Sequence, residues 1–154
     1  SDFQFNATSK SADAPDVDAG FYDATFDGID KKFIKGGMYG DGDRYEWSFT
    51  LLDDDGAVIY EDGDPIVVTG LTSMSTNVLS KTQPRAVRYL KALMTPDEFT
   101  GFENGSGPMA SALLGRKVQV EVYINDNGWP GISNVLPLRK ARKARTSSTS
   151  SDAE

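Results

Sequence analysis

Cysteine and histidine are both absent from the 154 residues. With them go thiolate nucleophiles, disulfide staples, Cys/His zinc sites and every Ser-His-Asp or Cys-His catalytic device. A chain without thiols is equally stable in oxidising and reducing compartments, so the redox setting stays open. No apolar run reaches the roughly 18 residues that span a bilayer, and residues 1–20 lack the basic-then-apolar order of a secretory signal. The expectation is a soluble protein with no membrane attachment. Self-similarity at periods of about 20 to 50 residues is missing too, which sets solenoids and propellers aside.

What remains is 16.7 kDa of chain, enough for one ordinary domain with tails and too little for two full cores. Hydrophobic residues make up 38%, with 15 Gly, 7 Pro, 8 Phe, 6 Tyr and 2 Trp, a profile of short strands and turns. The formal net charge of -7 is unevenly spread. Residues 1–64 hold 16 acids against 5 bases, whereas residues 65–154 hold 7 acids against 11 bases. Two electrostatic ends or faces follow, and overall charge alone decides little about partners.

Residues 1–19 have no hydrophobic period and are assigned to a flexible N-terminal arm. Residues 139–154 begin with five bases in seven positions and end in a Ser-rich acidic tip, the composition of a disordered tail. The folded unit is expected over 20–138. Alternation marks a first strand near GFYDATFDGI, with Tyr22 and Phe26 pointing inward, and a second over RYEWSFTLLD, with Tyr45, Trp47, Phe49 and Leu51 on one face. The four glycines in residues 31–43 predict a loop between them. DDDG at 53–56 and EDGD at 61–64 are turn compositions that bracket Ala57 to Tyr60, and a short apolar strand, Ile66 to Thr69, follows. Pro84 opens a helix in which Ala86, Val87, Leu90, Leu93 and Met94 recur at helical spacing, with Arg85, Arg88 and Lys91 outside. Thr95-Pro96-Asp97-Glu98 has the order of a second helix start, and MASALL gives a third short turn ended by Gly115. Val118, Val120, Val122 and Ile124 define the strongest strand, and ISNVLPL the last.

The predicted order is three strands, helix, two strands. That is the order of a mainly β, five-stranded Greek-key barrel of the OB-fold type, with a helix between strands 3 and 4 plugging its open end. A two-sheet sandwich is the competitor and offers no reason for a helix there. The glycine entering strand one (Gly20-Phe21-Tyr22), the aromatic second strand (Tyr45 to Phe49), the basic helix, Leu113 to Val118 and the closing Gly131 to Pro137 together resemble small bacteriophage single-stranded-DNA-binding-like OB proteins. The resemblance covers roughly residues 20–138. It implies non-catalytic binding of single-stranded DNA during phage replication or recombination, in the cytoplasm of a host cell, with a phage or host replication protein as a further partner.

In an OB-fold, ligand meets the second and third strands and the loops joining strands one to two and four to five. The first of these loops holds Lys31, Lys32, Phe33, Lys35 and Tyr39, with Arg44 at its end; the second holds Trp129. Ammonium groups track phosphates while flat rings stack on any base, at about 1 to 3 kcal/mol per stack. Lys31, Lys32, Lys35, Tyr39, Arg44 and Trp129 are therefore the candidate site, with Arg88 extending a phosphate track. The competing structural use folds Phe33 and Tyr39 over a barrel mouth and caps a hairpin with Trp129. Tyr45, Trp47 and Phe49 are assigned to the core. The acidic clusters do not match a calcium loop and read as hairpin turns, so no metal is expected. No cofactor motif or catalytic constellation stands out, and an enzyme is not expected. Two non-nucleic-acid readings stay open: a protein-interaction module, and a virion or assembly component on a small β domain.

Overall fold

The computed structural model describes residues 14–37, 40–79 and 81–138. Two long strands dominate it: β1 (Gly20–Gly37) and β2 (Gly40–Leu52), paired antiparallel. Their ladder slips between Phe26 and Gly28, and Gly28 adopts φ +152°, a conformation that side chains other than glycine rarely take. The bulge inverts the parity of β1. Ala24 and Phe26 are buried before it, and Ile29 packs on the core after it.

After β2 the chain makes a turn in which the Asp53 carboxylate accepts from the Asp55 and Ala57 amides at 2.8 and 2.9 Å. EDGD then closes a hairpin of its own, β3 (Tyr60–Glu61) with β4 (Asp64–Pro65), through Asp62 and Gly63 at φ +53° and +85°. The strand expected at Ile66 to Thr69 is β5 (Val67–Thr72). Two helices follow, α1 (Arg85–Leu93) and α2 (Pro96–Glu103), then a 3-10 turn over Ala110–Leu113. They therefore lie between the fifth and sixth strands of the chain, not between the third and fourth, because the β3–β4 hairpin intervenes. Strands β6 (Lys117–Ile124) and β7 (Pro130–Pro137) complete the fold.

Five of these strands form one antiparallel sheet in the order β5-β2-β1-β6-β7. Among the described residues no ladder joins its two ends. The ends nevertheless touch: a Cβ placed on Gly70 of β5 would lie 2.8 Å from Ile132 Cβ and 3.1 Å from its carbonyl oxygen on β7. The curl encloses the core. Phe26, Trp47, Phe49 and Leu51 meet Val118, Val120 and Val122 there, while Tyr89 and Leu93 of α1 cover one end. Ile124, in phase with these valines, is 38% exposed because β6 has by then run past the core. Trp47 Nε1 donates to Thr72 Oγ1 at 2.9 Å, so its one polar atom is matched in the apolar interior. Thr95 and Glu98 form a reciprocal capping box at α2. Arg116 clamps both helices to the start of β6, donating to the Leu93 carbonyl and, through both terminal nitrogens, to the Glu98 carboxylate.

The segment assigned to a flexible arm is in contact with the fold from Ala14 onward. Ala14 is buried, Val17 packs on the core, and the Asp16 amide donates to Glu61. Residues 1–13 and the tail 139–154 lie outside the described residues.

Candidate nucleic-acid interface

The glycine-rich loop expected at 31–43 is instead the outer half of a hairpin. The β1–β2 ladder runs through Lys31↔Tyr45, Lys32↔Arg44, Phe33↔Asp43 and Ile34↔Gly42 and, after a second slip, reaches Gly37↔Gly40. Sequence reasoning missed this because glycine weakens a strand's side-chain signal without removing its amide and carbonyl. The β2–β5 ladder stops at Tyr45↔Thr72 and the β1–β6 ladder at Thr25↔Lys117. Phe26 still exchanges backbone hydrogen bonds with Gly115 and Arg116. Past Phe26 on β1 and before Tyr45 on β2, the two strands pair only with each other among the described residues, so residues 31–37 and 40–44 form a two-stranded arm projecting from the sheet. The Gly36 amide donates to Asp41 near its tip.

Four of the candidate residues sit on this arm. Lys31 and Phe33 share one face of β1, and Lys32 lies on the other beside Arg44. Phe33 is 61% exposed, so it does not fold back onto the sheet. Lys32 Nζ pairs with Glu46 at 3.3 Å, and an Arg44 guanidinium nitrogen donates to the Asp43 carbonyl at 3.0 Å. Lys31 and Lys35 make no ion pair among the described residues. Tyr39 lies outside the described residues.

Trp129 and Arg88 belong to other places. Trp129 follows β6 in a turn where Asn125 Oδ1 accepts from the Asn127 and Trp129 amides, both at 2.9 Å. The ring stays 38% exposed. Register puts this turn beside the Gly20 end of β1, whereas the lysines occupy the opposite end. Arg88 is exposed on α1, which packs against β7. The sheet therefore gathers Lys31, Lys32, Lys35 and Arg44 into one cluster and holds Trp129 and Arg88 apart from it.

Between the 3-10 turn and the outer face of β1, β2 and β5 lies an open cleft of about 540 Å³. Asp27, Asp30, Ser48, Val67 and Leu114 line it. Asp27 accepts from the Thr50 hydroxyl. This is an anionic and apolar surface, unlike the arm. The described residues contain no cluster of three potential metal ligands and no helix long and apolar enough to cross a membrane. No family model matches the sequence, and no curated protein matches it.

Proposed function

We propose that the chain holds single-stranded DNA without chemistry, through the β1–β2 arm, in phage replication or recombination within a host cell. The observation that carries this reading is the exposed Phe33 ring on the same arm face as Lys31, with Lys35 two residues further on and Lys32 and Arg44 on the opposite face. A solvated ring near Lys31 and Lys35, neither of which makes an ion pair among the described residues, supplies both parts of sequence-tolerant recognition: a stacking surface for one base and charges spaced along the phosphates. The sheet order with touching ends supports an OB-type barrel as the scaffold, and Trp129 and Arg88 then act as outlying contacts of a longer strand.

The test is fluorescence anisotropy of a labelled oligonucleotide at low and moderate salt. Binding is expected to weaken steeply with salt, and Lys31→Gln/Lys35→Gln to flatten the slope of log K against log salt by about 1 to 2, since each lost phosphate contact removes roughly 0.7 on a single strand. Phe33→Ala should weaken binding by about 1 to 3 kcal/mol with the slope unchanged. Absence of binding at micromolar protein in low salt, or binding indifferent to salt, removes the reading. A second reading, a protein-interaction module, is favoured by the acidic, apolar-walled cleft at Asp27, Asp30 and Leu114. It predicts indifference to oligonucleotides and a partner whose contacting surface is basic and apolar.

A further inference from the structure

The first turn of α1 combines three unusual features. Residues 65–96 contain no acid at all, although the chain carries 23, and hold four bases, among them Arg85 and Arg88. The helix opens on Pro84, which has no side-chain acceptor for the leading amides, and no acid occupies its first turn. Two arginines thus stand where the helix dipole already presents positive charge, an arrangement that is unfavourable unless an anion sits there. The third feature is independent of the first two. Tyr89 is fully buried, its ring packed edge-on against Trp47 at 5.2 Å, yet its hydroxyl proton has no acceptor among the described residues: the neighbouring Arg85 guanidinium can donate to the phenol oxygen but cannot accept. Buried hydroxyls are almost always matched, so this one is a donor free to bind an acceptor that reaches it.

Helix geometry places Arg85, Arg88 and Tyr89 together, since i, i+3 and i+4 share a face. A tyrosine side chain also leans back toward the helix N-terminus, which carries the Tyr89 hydroxyl to the level of Arg85. Lys91, by contrast, is engaged over the Phe99 ring at 5.7 Å. Burial pushes the Tyr89 phenol up to about 12, against the pull of Arg85 and Arg88, so it keeps its proton and remains a donor at neutral pH.

We propose that the first turn of α1 is a phosphate seat, in which Arg85 and Arg88 supply charge and the buried Tyr89 hydroxyl donates the directional hydrogen bond. Arg85, exposed and adjacent to the hydroxyl, is the side chain whose rotation admits the anion. The ligand chemistry is a phosphate oxygen, from either a nucleic-acid backbone or a free phosphate. The seat goes beyond the arm and does not depend on it.

The experiment is a titration of the 15N-labelled full chain with inorganic phosphate, against sodium chloride at matched ionic strength. The Arg85 and Ala86 amide signals are expected to move saturably with phosphate and not with chloride. Arg85→Gln and Arg88→Gln should each weaken phosphate binding about tenfold. Tyr89→Phe should weaken it by a similar factor while the melting temperature holds or rises, because the substitution deletes an unmatched buried hydroxyl. Identical shifts in phosphate and chloride overturn the proposal. So does a Tyr89→Phe protein that melts lower with its phosphate affinity intact, because the hydroxyl is then structural. Lys31→Gln/Lys35→Gln is expected to leave the phosphate titration unchanged, which separates failure of the arm from failure of the seat. With the seat established, displacement of phosphate by an oligonucleotide identifies the backbone as its source, and lack of displacement identifies a free phosphate.

Discussion

Glu98 shows how one side chain can serve two neighbours. Its carboxylate accepts from Arg116 and, as the return half of the capping box, from the Thr95 amide at 2.9 Å. The Arg116 hydrogen bonds, followed by the Thr95 amide, hold the carboxyl down at about 2, against an ordinary 4.5. A folded-state pKa below the unfolded one favours the charged form, so the contribution is complete above pH 4.5 and disappears as pH falls toward 2. Glu98→Gln retains an acceptor for the Thr95 amide and removes the charge. The variant is therefore expected to melt below the parent at pH 6, with the gap narrowing as pH falls from 4.5 toward 2 in a series of thermal melts. A constant gap across that range would mean the ion pair contributes nothing that titrates. At this same scale Tyr89 was invisible from sequence: helical periodicity selects Leu90 and Met94, but the structure leaves both only partly buried and buries Tyr89.

Strands with clean alternation were legible because one face had to be apolar. Trp47, Phe49 and Leu51 are all fully buried, as the period of two requires. Elements held by backbone pairing alone were not legible. The arm reads as loop because Gly36, Gly37, Gly40 and Gly42 carry no pattern, and the β3–β4 hairpin is too short to show one. The lysine cluster was therefore foreseen by composition, while its projection from the sheet, and its distance from Trp129, were settled by register. Closure of the sheet was equally out of reach, since it turns on one approach between strands far apart in the chain. Gly70 has no room for a methyl group against Ile132. Gly70→Ala is expected to lower unfolding stability by about 1 to 3 kcal/mol through forced separation of β5 from β7, read by urea denaturation. An unchanged midpoint would show that the two strand ends yield without loss.

For the molecule as a whole, the contacts of Ala14, Asp16 and Val17 put the start of the fold before β1. A chain beginning at residue 20 should be less stable than one beginning at residue 14 by about 1 to 3 kcal/mol, the order expected for re-exposing one valine and its neighbours. Equal melting temperatures for the two would confine the fold to 20–138. Charge is also graded at this scale: the cleft's acids end at Asp30, where the Lys31, Lys32, Lys35 and Arg44 cluster begins, and the first turn of α1 carries no acid, which lets a protein of net charge -7 present cations locally.

The arm has a further consequence. Two strands with bare outer edges are a template on which a second copy can add, and no sheet ladder among the described residues covers the outer edge of β2 before Tyr45 or of β1 after Phe26. Like charges on Lys31, Lys32, Lys35 and Arg44 make that addition repulsive, so the side chains we propose for a polyanion also keep the arms of two copies apart. Neutralising all four should therefore yield self-association, visible as growth of the light-scattering mass with concentration. If the neutralised protein keeps the parent's mass, the glycine-rich edges are poor templates in themselves.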